Sequence, residues 1–295
     1  MLRIGIISAY HGEDWHAQRI AAAAARQHQV DVLDPTDFAA EIRAGSTRVT
    51  ARGVDTRGYD LWFTPRALGD DGDADVQVEL YRLLAGTGAR LCNHVDALLV
   101  AIDKLRTSWE LTRAGLPTPE ARVAQTRGEA EAALVALGHA VVKPVYGSLG
   151  IGVERLRAGE DVRLGALLAT RGALYLQRYV EDVELDVRAF VVGDQVAAAM
   201  ARTPAHGDFR GNRASGALAR PVTLDAATAE LAVRASRALG LDYSGVDLVV
   251  GARGPLVIEV NGTPAFRGIW EATGLDMAEA IVAHATDIEE LKQTA

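Results

Sequence analysis

The stretch that most constrains this chain is a glycine-rich loop enclosed by two strand-like segments. Residues 141–143 are an apolar run that ends in Lys143, three glycines follow within Gly147–Gly152, and residues 153–156 have the pattern of another strand. Glycines lack a Cβ, so backbone N–H groups can crowd around an anion. The stretch predicts a β-hairpin lid over phosphates, with Lys143 beside them. An ordinary hairpin turn with a surface lysine is the alternative.

The loop differs from the two common nucleotide-binding motifs. Its spacing, Gly-x-x-Gly-x-Gly, is close to the dinucleotide fingerprint, but that fingerprint follows a strand and opens a helix. No Gly-Lys-Ser/Thr ends the loop, so it is not a Walker loop. The first predicted strand, residues 2–9, lacks Gly-x-Gly-x-x-Gly as well. A nicotinamide-dependent dehydrogenase is therefore disfavoured.

Composition narrows the classes of partner. The chain has 295 residues, 49% of them hydrophobic, which suffices for two or three packed units. Acidic residues outnumber basic ones, 39 to 31, and the net charge of −8 argues against nucleic-acid binding. Cys92 is the single cysteine, so no internal disulfide is expected. Without a signal peptide or an apolar run of ~18 residues, we expect a cytoplasmic protein with no membrane partner. A homo-oligomer is compatible with the sequence.

The first unit, residues 1–95, alternates strands with helices, which predicts a parallel, doubly wound sheet. Its predicted strands are 2–9, 30–33, 60–64 and 90–93, and its predicted helices are 14–28 and 73–86. A helix over 95–115 follows, and Pro117 and Pro119 then break the pattern. A junction between units is therefore expected near these prolines.

Two further units follow, a central one over residues 96–180 and a C-terminal one over 181–295. Besides the glycine-loop hairpin, the central unit is predicted to contain strands 121–125 and 174–180 and helices 128–138 and 160–170. The C-terminal unit is predicted to contain hairpins 186–192/195–200 and 246–250/256–261, a loop over 203–217, and helices 225–239 and 275–293. The expected fold is α/β, with a doubly wound N-terminal domain, a small central lid domain and a C-terminal mixed sheet.

The second C-terminal hairpin carries acidic side chains within apolar strands. Glu259 and Asn261 are two residues apart and share one face, and Asp247 lies across from them if the turn sits at 251–254. Two carboxylates and an amide oxygen suit Mg²⁺, which also takes water and nucleotide phosphates as ligands. The alternative is that all three side chains lie on a solvent face.

These segments occur in the order of a known family. The chain resembles the ATP-grasp superfamily, and within it the RimK-type carboxylate–amine ligases, from about Asp103 to Asp276. The matching segments are Asp103-Lys104-Leu105, Leu116-Pro117-Thr118-Pro119, the lysine strand with its loop, Gln177-Arg178-Tyr179-Val180, Asp186-Val187-Arg188, Gly207-Asp208-Phe209-Arg210-Gly211-Asn212, Gly245-Val246-Asp247 and Glu259-Val260-Asn261.

The resemblance implies functional positions in all the matched segments. Its ATP-binding positions contact phosphates, form the flexible lid, contact adenine or lie beside the ribose, and they are Lys104, Lys143, Gly147, Ser148, Gly150, Ile151, Gly152, Gln177, Arg178, Tyr179, Val180 and Asp186. Its catalytic positions, around the γ-phosphate and the acyl phosphate, are Arg188, Arg210 and Asn212. Its metal positions, for two Mg²⁺ ions that Mn²⁺ can replace, are Asp247, Glu259 and Asn261.

The sequence departs from the family pattern at two places. Arg178 stands where relatives often carry an acidic residue, which would leave adenine contact to the backbone. Residues 213–216 replace a glycine pair on the acceptor side. The segment 261–269 is most similar to ligases that add glutamate to pterin-type or deazaflavin coenzymes, as tetrahydromethanopterin glutamate ligases do. Lysine-biosynthesis ligases share most of the same motifs.

Candidates for acceptor binding are Arg66 and Arg267. Arg66, like His11 and Trp15, lies at or just after a predicted strand end, where α/β folds commonly bind ligands. For His11 and Trp15 a plain surface position is favoured. Arg267 belongs to the segment that follows the predicted metal ligands.

The resemblance implies an ATP-dependent ligase that phosphorylates a carboxylate, lets an amine attack the acyl phosphate, and releases ADP and phosphate. We expect glutamate as the amino acid and a small-molecule carboxylate as the acceptor. A protein terminus or carrier protein is the first alternative, and an ATP-binding module without ligase activity is the second. The net charge of −8 disfavours a protein acceptor that needs a basic groove. The presence of both lysines and all metal positions disfavours the inactive module.

Overall fold

A computed structural model describes residues 1–9, 13–69, 71–147, 151–203 and 218–294 of the chain. The strands in these ranges form four sheets, with helices between and around them. The α/β class expected from the sequence is confirmed. Within the same ranges, no helix is both long enough and apolar enough to cross a membrane.

The N-terminal part is built on a parallel sheet. In chain order its elements are β1 (Arg3–Ser8), α1 (Trp15–Ala24), β2 (Gln29–Leu33), a 3₁₀ turn (Pro35–Asp37), β3 (Phe38–Arg43), β4 (Ser46–Ala51), β5 (Val54–Asp55), a 3₁₀ turn (Thr56–Gly58), β6 (Leu61–Arg66), α2 (Ala74–Gly86) and β7 (Arg90–Cys92). Four of the strands pair in parallel in the order β2-β1-β6-β7, as the doubly wound prediction requires. Gly5 in β1 allows Trp62 to pack closely, since a Cβ there would lie 2.2 Å from the indole.

A three-stranded antiparallel sheet, β3-β4-β5, is inserted between β2 and β6, and the sequence pattern does not predict it. β3 is exposed beyond Phe38 and β4 buries only Val49 and Ala51, so apolar alternation is limited to a short stretch. Phe38 is the anchoring residue, because its ring packs on Trp62 at 5.4 Å and on Tyr81 at 5.6 Å.

The helix expected over 95–115 is two helices, α3 (Val95–Ile102) and α4 (Lys104–Arg113), separated at Asp103. Asp103 is extended, with φ −92° and ψ 105°, and its side chain accepts a hydrogen bond from Arg106 N at 3.0 Å. A short polar side chain at this position satisfies the free amides of a new helix and competes with helix continuation. The break makes Lys104 the first residue of α4, with its backbone N–H donating to Val145 O at 3.2 Å.

The central part has its own sheet and core. Its elements are β8 (Ala121–Ala124), α5 (Arg127–Leu137), β9 (His139–Lys143), β10 (Glu154–Arg157), α6 (Asp161–Arg171) and β11 (Leu174–Arg178). The strands pair antiparallel in the order β10-β9-β11-β8, and the β9–β10 pairing confirms the hairpin expected around the glycine loop. Buried side chains of α5, α6 and the sheet form one apolar cluster.

The C-terminal part contains β12 (Leu185–Val192), β13 (Gln195–Thr203), β14 (Leu218–Pro221), α7 (Ala226–Ala238), β15 (Tyr243–Gly251), β16 (Gly254–Asn261), α8 (Arg267–Thr273) and α9 (Met277–Thr294). Its sheet has the order β14-β13-β12-β15-β16. Every pairing among these described strands is antiparallel, whereas we expected from the sequence a mixed sheet with both parallel and antiparallel pairs. Hairpin turns account for two of these pairings, β12–β13 and β15–β16, because a tight turn can only join antiparallel strands. The pattern predicts α9 but not the short α8, which ends at Gly274 with φ +74°.

Asn93 fixes the N-terminal sheet to the C-terminal one. Its buried side chain donates to Tyr243 O at 2.8 Å and Gly262 O at 2.7 Å, and accepts from Asp242 N at 2.7 Å. Apolar side chains from β1, β6, β12, β15, α8 and α9 then form one continuous cluster. The segment after the predicted metal ligands is therefore held against the N-terminal sheet.

Candidate active site

Charged side chains form a row across three strands of the C-terminal sheet. Arg188 on β12 pairs in register with Asp247 on β15, which in turn pairs with Glu259 on β16. Asn261 pairs with Gly245, two residues along, and so lies on the same face. The strands turn between Gly251 and Gly254, which confirms the interpretation that this turn brings Asp247 opposite Glu259.

Asp247 is the centre of a buried ion network. It is 7% exposed, and Arg188 contacts both of its oxygens, with Nη2 donating to Oδ2 at 2.8 Å. Arg202 on β13 adds a contact from Nη1 to Oδ1 at 3.1 Å and also binds Asp186 from Nε at 3.0 Å. Burial alone would raise the pKa of Asp247, but the charges of Arg188 and Arg202 outweigh burial and hold that pKa below its ordinary value.

Arg202 has no counterpart among the positions inferred from sequence. Its side chain is 9% exposed, and the carboxylates of Asp247 and Asp186 raise its pKa although burial opposes them. A usable signal exists in the sequence, since a single arginine lies near the end of the alanine-rich strand, opposite Asp186. Asp186 itself, expected beside the ribose, is held by Arg202, and burial raises its pKa.

Two lysines converge on this row from the central part. Lys143 ends β9, is 8% exposed, and donates from Nζ to Gln177 Oε1 at 2.7 Å. Burial lowers its pKa, an effect that the carboxylate of Glu259 opposes. Lys104 Nζ lies 3.8 Å from Glu259 Oε1 and donates to Gly147 O at 2.7 Å. The break before α4 thus places one ammonium between the glycine loop and the acidic hairpin.

A cleft between the central and C-terminal parts is lined by both lysines and by Thr107, Ser108, Tyr175 and Glu259, among others. Tyr175 OH lies 2.7 Å from Ser108 Oγ and accepts from Gln177 Nε2 at 3.4 Å. These bonds fix the orientation of Gln177, whose oxygen in turn fixes Lys143. The described part of the chain therefore brings Lys104, Lys143 and Glu259 around one cleft, and Asp247 pairs with Glu259 beside it.

The sequence model of the RimK-like ATP-grasp domain matches residues 101–285, more than half of the chain. The chain belongs to the RimK-like ATP-grasp family. It is therefore an ATP-grasp ligase, a class of enzyme that forms carbon–nitrogen bonds.

Relatives support this assignment over nearly the full length. The "Probable alpha-L-glutamate ligase" of Stenotrophomonas maltophilia (strain K279a) is 35% identical over 280 residues, 93% of this chain and 94% of that protein. The "Ribosomal protein bS6--L-glutamate ligase" of Salmonella schwarzengrund (strain CVM19633) is 33% identical over 291 residues, 95% and 94% of the two chains. The ATP-grasp ligase PsnB, solved with a minimal precursor, superposes with a TM-score of 0.77 at 21% identity and covers 96% of this chain and 98% of its own. That superposition confirms the fold.

The segment predicted to contact adenine, Gln177–Val180, has most of its polar groups engaged. Arg178 N donates to Glu120 O at 2.7 Å and Tyr179 N to His139 O at 2.9 Å. The Arg178 guanidinium turns to Leu137 O at 2.9 Å. Within the described residues, no hydrogen bond engages the amide of Val180. An adenine at this segment would therefore be recognised through the backbone, as the sequence departure at Arg178 suggests.

Several predicted positions belong to segments that are only partly described. Ser148, Gly150, Arg210 and Asn212, and the surface candidate His11, lie outside the described residues. Of the rest of the loop, Ile151 is exposed and Gly152 has φ +71°, a conformation that favours glycine. Arg171 Nη2 donates to Gly152 O at 2.7 Å and anchors this end of the loop.

The predicted metal ligands suit Mg²⁺ in this ATP-grasp frame. Within the described ranges, no group of three or more His, Cys, Asp or Glu side chains could hold a metal ion. The set here is two carboxylates and an amide, which matches an ion that also takes phosphate and water ligands. Asn261 Nδ2 donates to Gly245 O at 3.2 Å, which leaves its amide oxygen for a metal. The Asp247 carboxylate already accepts hydrogen bonds from two arginines, so only its remaining lone pairs would be available to a metal ion.

The acceptor candidates lie near each other where the N-terminal and C-terminal parts meet. Arg66 ends β6 opposite Ser8, and its Nε lies 3.3 Å from Asp14 Oδ2. The Arg267 guanidinium lies 4.7 Å from the centre of the Trp15 ring. Trp15 is half-buried rather than free on the surface, because it also packs on Phe266 at 5.5 Å.

Proposed function

We propose that this ATP-grasp enzyme uses ATP to phosphorylate a carboxylate and then joins the acyl group to the amine of glutamate, releasing ADP and phosphate. The observation that supports it most is the convergence of Lys104, Lys143 and Arg188 on Asp247 and Glu259 at one cleft. Phosphoryl transfer depends on positioning and on neutralising charge that spreads over phosphate oxygens, and these residues supply both.

The roles follow from charge and position. Lys143, desolvated at the end of β9, and Lys104, beside the glycine loop, would bind the phosphates. Gln177 orients Lys143, and the segment around Val180 would receive adenine. Arg188 and Arg202 supply fixed positive charge beside the transferred phosphoryl group, where Arg210 and Asn212 are also expected to act.

The metal site is part of the proposal. Asp247, Glu259 and Asn261 would hold two Mg²⁺ ions, with Mn²⁺ as a possible replacement. Bound metal would neutralise the β- and γ-phosphate oxygens. The three units, 1–95, 96–180 and 181–295, would enclose ATP between the last two, with the central unit excluding water from the acyl phosphate.

The acceptor is proposed to be the carboxylate of a protein or peptide rather than of a small molecule. The names of the relatives support this change from our sequence-based expectation, since one is named for ribosomal protein bS6 and a solved structure of PsnB holds a precursor peptide. Glutamate is supported by the names of both curated relatives. A cytoplasmic location, where thiols such as that of Cys92 stay reduced, completes the proposal.

Product analysis tests the chemistry. Incubation with ATP, Mg²⁺, glutamate and candidate acceptors should yield ADP and phosphate, with mass gain on the acceptor detected by mass spectrometry. Oxygen-18 in the acceptor carboxylate should appear in the released phosphate, and hydroxylamine should trap a hydroxamate. Label in AMP, or pyrophosphate as product, would overturn the mechanism. ADP formation that ignores every carboxylate and amine offered would favour the non-ligase module.

A further inference from the structure

Most cations around the cleft are already committed to other groups. Arg188 and Arg202 are bound to Asp247, Lys143 is hydrogen-bonded to Gln177, and Lys104 bridges the glycine loop and Glu259. A glutamate that enters this site adds two carboxylates next to phosphates and an acidic hairpin. Bringing such charge out of water is costly unless cations meet it. The enzyme therefore needs positive groups that face the site and together outnumber the carboxylates beside them.

The N-terminal sheet provides a place for them. From β1 the chain runs through α1 to β2 on one side, and from β6 it runs through α2 to β7 on the other. The strand order therefore reverses between β1 and β6, and in open α/β sheets ligands bind beyond the carboxyl ends of the strands at that point. Arg66 is the last residue of β6 and pairs with Ser8 at the end of β1, directly at this reversal.

The C-terminal part reaches the same place. Six residues after Asn261, Arg267 begins α8, and its guanidinium lies over the Trp15 ring at 4.7 Å. The connecting segment packs against the charged row, since a Cβ on Gly245 would lie 2.8 Å from Pro264 and 3.0 Å from Arg188 Nη1. Phe266 N donates to His16 Nδ1 at 3.4 Å, which fastens the segment to α1.

We call Asp14, Trp15, His16, Arg66 and Arg267 the junction cluster. It contains two cations and one carboxylate, Asp14, which lies 3.3 Å from Arg66 Nε and also caps α1. No carboxylate among the described residues pairs with Arg267. Burial lowers the pKa of His16 to about 4, with the charges of Arg66 and Arg267 adding to the effect and that of Asp14 opposing it. The His16 ring is therefore neutral, and both guanidinium groups lie close enough to influence it.

From this geometry we infer that the junction cluster binds the carboxylates of the amino acid whose amine attacks the acyl phosphate, with Arg267 as the principal contact and Arg66 as the second. The inference rests on the proposed function. Lys104 approaches the charged row at Glu259, whereas the connecting segment meets it at Gly245, two residues before Asp247 on β15. The phosphates and the amino acid would thus approach the row from different points, which keeps their negative charges apart.

Steady-state kinetics of Arg267→Gln and Arg66→Gln test this assignment. Arg267→Gln should raise the KM for glutamate about tenfold or more, as expected when one charge-assisted hydrogen bond is lost, and Arg66→Gln should raise it less. The KM for ATP should stay unchanged in both. Arg26→Gln is the matched control. Arg26 follows α1, the helix that carries Trp15 and His16, and its ion pair is with the exposed Glu279 at 2.7 Å.

Hydroxylamine separates amino-acid binding from all earlier steps. It replaces the amine without any carboxylate, so hydroxamate formation by Arg267→Gln should match that of the wild type, which also shows that the variant is folded. The wild type should prefer glutamate to glutamine, and the variant should lose most of that preference if Arg267 binds the side-chain carboxylate. An unchanged preference, with a raised KM for glutamate, would place Arg267 on the α-carboxylate.

Two results would overturn the inference. One is a raised KM for the carboxylate acceptor with an unchanged KM for glutamate, which would assign the junction cluster to the acceptor. The other is an equal loss of glutamate-dependent and hydroxylamine-dependent activity, which would assign Arg267 to folding or to phosphoryl transfer. Failure of the proposed function itself is a separate result, because the wild type would then release AMP and pyrophosphate or form no hydroxamate with any acceptor.

Discussion

Asp247→Asn and Glu259→Gln should both abolish turnover, but only the first should destabilise the fold. Asp247 is buried and contacts Arg188 and Arg202, so its neutralisation leaves Arg188 without this carboxylate and leaves Arg202 with Asp186 as its remaining carboxylate partner. Breaking a buried ion pair from one side costs ~3–5 kcal/mol, and asparagine keeps part of the hydrogen bonding, so we expect about 3 kcal/mol.

Glu259→Gln should cost much less folding stability than Asp247→Asn. The Glu259 side chain is 30% exposed and its charged partner is Lys104 at 3.8 Å. Pairs of this kind are worth ~0–1 kcal/mol, so Glu259→Gln should unfold almost as the wild type does. Both changes remove a carboxylate from the proposed metal set, so each should stop turnover.

Thermal unfolding and product formation measure the two effects separately. A loss of about 3 kcal/mol corresponds to a Tm lower by ~6–12 °C in a chain of this size class, whereas Glu259→Gln should shift Tm by only ~2 °C. Equal Tm values for the two variants would refute the account of Asp247 as the counter-charge of both arginines. Near-normal turnover of both variants at millimolar Mg²⁺ would refute the metal assignment.

Three further predictions concern nucleotide affinity, the charged row and pH. Lys143→Ala should weaken ATP binding about tenfold or more in calorimetric titration, because a buried ammonium is lost. Arg163→Ala removes only the exposed ion pair with Glu154 and should leave ATP binding unchanged, so equal effects of the two variants would contradict the special placement of Lys143. Gly245→Ala should lower kcat by ~10–100-fold with the KM for ATP retained, because the added methyl displaces Arg188, and an unaltered kcat would argue against that role. His16 has a pKa of about 4 in the folded chain against an ordinary value of 6.5, so the unfolded chain takes up the proton first and the free energy of unfolding falls as pH drops between these values. Urea unfolding at pH 7 and 4.5 should show that His16→Gln loses about 2–3 kcal/mol less than the wild type over this range. An identical pH dependence in the variant would refute the assignment.

Local pattern was enough to predict much of the site. The β9–β10 hairpin around the glycine loop and the opposition of Asp247 and Glu259 both follow from strand periodicity and a tight turn. The alternation of strands with helices also gave the parallel N-terminal sheet. These features depend on neighbours within a few residues, which a sequence displays directly.

Local pattern failed where another element competes with it. The helical pattern of 95–115 continues through Asp103, yet that residue caps a new helix and forms a bridge with Tyr146. The tertiary pairing of Asp103 with the segment before the glycine loop therefore outweighs helix propensity and keeps Asp103 extended. The strands β3 to β5 were not predicted because β3 is exposed beyond Phe38 and β4 buries only Val49 and Ala51, which is too short an alternation to indicate a sheet.

The sequence by itself determined the chemistry that this chain carries: two lysines, a glycine loop and an acidic hairpin in the order of the ATP-grasp family. Only the tertiary structure decided which charges meet. It brought Arg202 to Asp247, set His16 against Phe266 across 250 residues, and joined Asn93 to Tyr243 and Gly262. Such contacts arise from the packing of whole sheets against each other, and no short-range period in the sequence encodes which residues that packing will bring together.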